Sequence, residues 1–347
     1  MEQTLEGTII SGDEFEPVDG RITIEDGVIK DIEEKKIFSE TIIAPCFVNA
    51  HTHIGDSIIK DPPFLPLPEL VQPPHGLKHR ILQKTSYKDL VTSMKASIED
   101  MIRTGTCAFA DFREGGIEGV RAIKDALGTG DRIKAQIFGR PMDNSMDYLD
   151  LCDGTGLSST SDLDIKLIEY IEKKTREHGK KFAIHAGERA SSDISSALEL
   201  GPDILIHLTH AKKKDLRAIS DSGIPVVVCL RSNFITRSGT PPVEKMLDEG
   251  ILVAAGTDNV MLNSVNMFSE MEFLAKTALY DDRQVFKLCT LNGAKVLGID
   301  EEIGSIKKGK NARLMMLSKR SCNLHGIKDP VSSIVRRARP DDIIEII

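Results

Sequence analysis

Between residues 45 and 301, strand-length apolar runs and amphipathic helical stretches alternate eight times in succession. CFVNAH, TCAFADF, KAQIFGR, KFAIHAG, DILIHLTH, IPVVVCL and ILVAAGTD read as strands, and YLDLCDG is the candidate for the fourth, least distinct one. The stretches between them, from SYKDLVTSMKASIEDMIRTG to AKKKDLRAISDSG and PVEKMLDEG, carry apolar residues at helical spacing. Two helices, VNMFSEMEFLAKTAL and DRQVFKLCTLNGAKVLG, close the series. A helix between consecutive strands demands parallel pairing with right-handed crossovers. Eight such units predict an α/β protein of the closed (β/α)8, TIM-like barrel type.

The two ends of the chain read differently. TLEGTIIS and RITIEDGVIKDIEEK before the barrel, and GSIKKGKNARLMML and IVRRARPDDIIEII after it, look like short strands. Neither end carries enough apolar residues for its own core. Residues 1–44 plus 302–347 are therefore expected to form one composite small β-sandwich, with 45–301 as the barrel. A net charge of −8 argues against a nucleic-acid or anionic-membrane surface. No apolar run reaches the roughly 18 residues of a membrane span, and the N-terminal residues show no basic-then-apolar leader. The six cysteines (46, 107, 152, 229, 289 and 322) are scattered, with no CxxC pair. Reduced, mostly buried thiols in a cytoplasmic protein are the expectation.

In such a barrel the chemistry sits at the C-terminal ends of the strands, and the histidines fall there. The first strand ends in His51 and His53, the fifth in His185 with Glu188 following in HAGE, and the sixth carries His207 and His210; the eighth ends in Asp258. A lone HxH is more often chance than a site. Five of nine histidines at the right ends of strands read from apolar pattern alone are not so dismissed. Alternate strand residues share a face, so His51 and His53 both point into the barrel mouth. His185 and Asp258 could complete a shell of three imidazoles and a carboxylate, suited to Zn²⁺ or Fe²⁺ with a position left for water. His178 and His325 are given no role. His75 and His79, in the Pro-rich loop after the first strand, have a substrate-facing role as the minority reading.

The stretches APCFVNAHTH, FAIHAGE, LIHLTH, CLRSN…SGTPPVEKMLDEGI and GTDNVMLNSVNMFSEM resemble the amidohydrolase superfamily, in the branch of cytosine, guanine and adenosine-type deaminases and triazine hydrolases. The resemblance runs in order along essentially the whole chain. It implies one divalent metal ion, zinc before iron, on His51, His53, His185 and Asp258. It also implies Glu188 as proton shuttle, and His207 rather than His210 as the histidine that holds or polarises the attacking oxygen. DLCDGTGLSS offers no lysine for a second metal. The chain departs from its relatives around the substrate. Gly156-Leu157-Ser158-Ser159 stands where many have a histidine, and Leu230 replaces a common proline.

The expected chemistry is hydrolytic deamination of an aminated N-heterocycle: a base, nucleoside, nucleotide or pterin. Metal-activated hydroxide attacks the C–NH2 carbon, Asp258 accepts the water's proton, Glu188 gives a proton to the ring nitrogen and then passes a proton to the leaving amine, and ammonia departs. The same site could instead cleave a cyclic amide or a carbon–halogen bond. A non-enzymatic barrel would be expected to have lost a ligand or Glu188, and none is lost. Arg113, Arg140, Arg189 and Arg231 follow strands on the catalytic face, and with Asn233 and His210 they are the substrate-binding candidates. Either the arginines hold an anionic group of a small-molecule substrate, or they pair with Glu114, Asp111 or Asp143 as scaffold. A homodimer is the default expectation for assembly.

Overall fold

The computed structural model describes residues 2–142 and 145–347. Its strands are β1 (Glu2–Ser11), β2 (Glu16–Glu25), β3 (Val28–Glu34), β4 (Thr41–Pro45), β5 (Phe47–His53), β6 (Thr106–Arg113), β7 (Lys134–Gly139), β8 (Gly154–Leu157), β9 (Lys181–Ala186), β10 (Ile204–His207), β11 (Val226–Val228), β12 (Val253–Ala255), β13 (Asp258–Asn259), β14 (Leu314–Ser318) and β15 (Ile343–Ile346). The nine strands β5 to β13 pair in parallel in the order β12-β11-β10-β9-β8-β7-β6-β5-β13. β12 and β13 are two pieces of one segment. The first pairs with β11 and the second with β5, Asp258 opposite Thr52. That segment is the eighth barrel strand and closes the ring.

Strands buried on both faces hold the barrel together: every residue of β5, β6 and β11 is buried. Helices surround them. The helix Tyr87–Arg103 starts at Ser86, whose side chain accepts the Asp89 N–H, and the helix Ile165–Glu177 starts at Asp164 in the same way. Each lays one apolar stripe on the barrel, Met94, Ile98 and Met101 in the first and Ile168 and Ile171 in the second.

Three local expectations are corrected. YLDLCDG is not the fourth strand: Asp147–Leu151 is a 3-10 turn, and β8 is the GTGL that follows. A Cβ on Gly154 would lie 2.2 Å from the Lys181 carbonyl oxygen, and one on Gly156 would lie 2.3 Å from the Phe112 ring. A strand this tightly enclosed carries almost no apolar bulk to read. Tyr148 and Leu149, which supplied the apolar signal, pack instead in the cluster under the helix Tyr87–Arg103. Second, the start of IVRRARPDDIIEII is helical, Pro330–Arg337, and only β15 is strand. Asp329 caps it through the Ser332 N–H with Pro330 at the first position, and Val331, Ile334 and Val335 pack with the barrel core. Third, DRQVFKLCTLNGAKVLG is two helices, Asp282–Leu288 and Leu291–Leu297, broken at Thr290.

The chain ends build one six-stranded sheet, β15-β14-β4-β1-β2-β3. Leu5, Ile9, Ile22, Ile24, Ile29, Ile43, Ile306 and Leu314 form its own apolar cluster, drawn from both termini. β4 leads directly into β5, so this sheet anchors the strand that carries His51 and His53. Among the described residues, no helix is long and apolar enough to cross a membrane. The six cysteines are free, five of them buried and Cys322 exposed.

Candidate active site

Four side chains converge at the mouth of the barrel. His51 Nε2 lies 3.2 Å from His185 Nε2 and 3.3 Å from Asp258 Oδ1, and His53 Nε2 lies 3.6 Å from the same oxygen. One ligand atom from each of the four lies within 4.8 Å of all the others. The second nitrogen of two rings is already committed. His53 Nδ1 donates to the Phe112 carbonyl (3.0 Å), beside Glu114 Oε1 (3.1 Å), and His185 Nδ1 donates to the Leu157 carbonyl (2.7 Å). Those bonds place the protons on Nδ1 and leave the Nε2 lone pairs facing inward. Burial pushes His53 down to about 3 and lowers His51 and His185 as well, so the rings are neutral. Burial works against the charge of Asp258, but the His51 hydrogen bond and the histidine ring around it hold its carboxyl well below the usual carboxylate range. Two imidazole Nε2 atoms 3.2 Å apart, beside an ionised carboxylate, fit a cation.

The backbone is strained where the site is made. His207, Leu208 and Asp258 have φ of 75°, 51° and 58°, the left-handed region that costs a non-glycine residue about 1–3 kcal/mol. His207 is buried, its Nε2 3.8 Å from Glu188 Oε2 and 4.0 Å from Asp258 Oδ2. Its Nδ1 has no hydrogen-bond partner among the described residues. Burial raises the Glu188 carboxyl, against the lowering pull of His207. The cavity over these groups measures about 60 Å³ and is lined by His53, His185, Glu188, His207 and Asp258. Leu67, Pro68, Val71, Gln72 and Pro73 of the Pro-rich loop line its outer side.

Several supporting groups escape sequence reasoning. Ser232 Oγ donates to Asp258 Oδ2 at 2.6 Å. Lys78, buried on the short helix Leu77–Leu82 after the Pro-rich stretch, lines the cavity and lies 2.6 Å from Glu114 Oε1. Asp56 Oδ1 accepts the Val260 and Met261 N–H groups (2.9 and 3.1 Å), tying the turn after β5 to the segment after Asp258. Burial pushes Asp56 up to about 8. Asp56 follows His53 by three residues, a signal that was available. Lys78 gives none, since a single lysine in a sequence carries no sign of burial. His75 is exposed, and His79 Nε2 is bonded to the Val71 carbonyl (3.0 Å).

The arginines divide. Arg140 and Arg189 line the cavity, with Ser158 and Ser159. Arg113 does not: it lies buried under Gly55, where a Cβ would be 2.0 Å from its guanidinium, and it binds Glu114 (2.6 Å) and Asp111 (3.4 Å). Arg231 is likewise scaffold, held by Glu270 (2.7 Å) and the Ser264 carbonyl (2.7 Å). Leu230, in place of proline, donates its N–H to the same Glu270 (2.7 Å), which a proline could not do. Asn233 is buried and bonded to Thr209 (2.8 Å), and His210 is exposed; neither reaches the cavity. Asp143 lies outside the described residues.

The profile of the amidohydrolase family matches residues 42–182 and 164–346. The chain belongs to the amidohydrolase family. An uncharacterised protein of Methanocaldococcus jannaschii is 34% identical over 98% of this chain and 96% of its own length. A 5-methylthioadenosine/S-adenosylhomocysteine deaminase of Acetivibrio thermocellus is 27% identical over 94% of this chain and 84% of its own. A solved structure of an atrazine chlorohydrolase from Arthrobacter aurescens, complexed with zinc, superposes with a TM-score of 0.81 at 16% identity, covering 99% of this chain and 93% of that one. Family and fold agree with the barrel read from the sequence. As an amidohydrolase with deaminase-named relatives, the protein is a hydrolase acting on carbon–nitrogen bonds.

Proposed function

We propose that this amidohydrolase is a metal-dependent deaminase of an aminated N-heterocycle, working with one divalent ion, zinc before iron. The observation that carries the reading is the pairing of a half-buried Glu188, its carboxyl raised by desolvation, with His207 beside four convergent ligand atoms. His51, His53, His185 and Asp258 would hold the ion, and three neutral imidazoles with one carboxylate are a donor set that suits zinc. When bound, such an ion supplies a water acidified toward neutrality and a Lewis acid. The chain supplies the rest. Asp258 Oδ2, on the side facing His207, takes the proton from the attacking water. His207 Nε2 donates to the oxygen that becomes the ring carbonyl. Glu188 delivers its proton to the ring nitrogen next to the C–NH2 carbon, takes up the second proton of the water as the hydroxyl becomes the carbonyl and passes it to the departing amine; the proton on Asp258 then returns to Glu188. The named activity of the Acetivibrio relative and the zinc of the Arthrobacter structure are consistent with this reading.

The charge balance around Lys78 favours an anionic substrate. With Asp56, 3.9 Å from Lys78, holding its proton at neutral pH, Lys78, Arg113 and Arg140 stand against Glu114 and Asp111, leaving one positive charge in excess. Arg140 is the loosest of the three, its guanidinium 3.8 Å from Glu114, whereas Arg189 has its own partner in Asp162 (2.9 Å). The test is ammonia release by zinc- and iron-loaded protein from aminated purines, pyrimidines and pterins, each with and without a carboxylate or phosphate. Release that chelation abolishes supports the reading. Chloride release or ring opening without ammonia reassigns the bond that is cut.

A further inference from the structure

A second chamber adjoins the metal cavity, and Pro73, Arg140, Ser158 and Asp162 line both. It measures about 550 Å³, against about 60 Å³ on the metal side. Sites for drug-sized ligands run from roughly 300 to 1,000 Å³. The metal cavity as it stands admits a few waters or the reacting edge of a ring. The larger space is the one with room for the body of a ligand.

Its lining says what kind of body. Leu82, Leu90, Pro141, Met142, Leu157 and Leu163 supply an apolar wall, and Met142 stands 66% exposed there. Covering such surface gains about 25 cal/mol per Å². The charged residues along the chamber are already neutralised: Arg113 is 2.6 Å from Glu114, and Glu118 is 2.6 Å from Arg121. The exception is Arg140 in the shared wall. Its Nε bonds weakly to the Gly156 carbonyl (3.3 Å), and among the described residues its closest carboxylate oxygen is 3.8 Å away. The chamber is thus apolar at its far end and cationic where it meets the metal cavity.

We infer that the chamber is a second subsite, which takes an apolar arm of the substrate joined to the reacting ring through an anionic or acceptor group that meets Arg140. The inference rests on the deaminase reading only for the identity of the ring. The first arm of the test therefore does not use catalysis. Anilinonaphthalene sulfonate, an apolar ring system bearing one anion, is titrated by fluorescence against the full chain. One probe should bind per chain, at least ten-fold more weakly in Met142→Glu and in Leu82→Glu. Binding indifferent to both substitutions overturns the subsite. The second arm compares ammonia release from an aminated heterocycle with and without a phenyl or alkyl arm joined to the ring through a carboxamide or sulfonyl acceptor. The armed substrate should have at least a ten-fold higher kcat/KM, and Met142→Glu should reduce that ratio several-fold. Equal rates for the two substrates also overturn it. Probe binding that responds to the substitutions, with no ammonia from any heterocycle, upholds the subsite and refutes the deaminase reading instead.

Discussion

Ser232→Ala isolates one hydrogen bond whose loss can be worked through in numbers. The Ser232 hydroxyl donates to Asp258 Oδ2 at 2.6 Å, and both residues are buried. Asp258 Oδ1 already faces His51 and His53, so the serine fixes how the carboxylate is turned. A hydrogen bond to a charged group contributes about 1.5–3 kcal/mol. If the whole of that is felt in metal binding, affinity falls about 10- to 150-fold, since 1.4 kcal/mol is one decade. That agrees with the roughly 10–100-fold loss usual for groups that orient metal ligands. The assay is competition between metal-free protein and a chelator of known affinity, wild type against variant. Metal-free melting temperature is read alongside. At about 2.1 cal/mol/K per residue of unfolding entropy, a chain of 347 residues loses only about 2–4 °C for the same energy. A ten-fold or larger loss of affinity with a native-like melt supports the argument. Unchanged affinity, whatever the melt does, refutes the claim that Ser232 orients a metal ligand.

The other expectations rest on separate contacts. Glu188→Gln should lower kcat about 10²–10⁴-fold with metal content unchanged, since it removes proton transfer and no ligand; a fully active variant removes Glu188 from the mechanism. Arg231→Met strands the fully buried Glu270 without its guanidinium, at a cost of about 3–5 kcal/mol, and should lower the melting temperature by several degrees while the metal ligands stay intact. Melting and metal content measured on one sample would separate that from a role at the site. Asp56, pushed up to about 8 by burial from an ordinary value of 3.8, keeps its proton in the folded chain where the unfolded chain has lost it. Folding therefore takes up a proton between about pH 4 and 8, and this group's contribution to stability falls as pH rises through that window. Asp56→Asn, which retains an acceptor for the Val260 and Met261 N–H groups, should flatten the slope; parallel slopes in melts at pH 5, 6.5 and 8 would contradict the assignment.

The barrel was legible because seven of its strands are apolar runs set between amphipathic helices, a pattern that burial on both faces enforces. β8 failed as a signal for the opposite reason. Its glycines sit where Phe112 and the Lys181 backbone leave no room for a side chain, so the segment carries little hydrophobicity to read. The helix Pro330–Arg337 was missed although Asp329-Pro330 is a good start signal, because the apolar doublets that follow it suggested strand. At the site, the period of two along β5 was enough to put His51 and His53 on one face. The arginines were a weaker case, since position after a strand says nothing about where a six-atom side chain ends. Arg113 turns under Gly55 and Arg231 turns to Glu270, and only contacts distant in sequence decide that.

What the sequence cannot display is the set of groups that make the four proposed ligands act as one site. His53 and His185 are oriented by the backbone carbonyls of Phe112 and Leu157, which belong to the neighbouring strands β6 and β8. Any residue type has a carbonyl, so these partners leave no trace in composition or motif; the barrel register alone brings them there. The same register holds Asp258 opposite Thr52, one residue from each histidine ligand of β5. The ligands are thus specified by side chains and their orientation by topology. The substrate side is built otherwise, from Lys78 and the Pro-rich loop on one wall and Arg140, Ser158 and Asp162 on the other, all on connections beyond strand ends or at their tips. Loops can change length and residues without disturbing carbonyl register. Under the proposed function, the chemistry of this chain is readable from its strands, and its specificity is to be sought in Lys78, Arg140 and the chamber behind them.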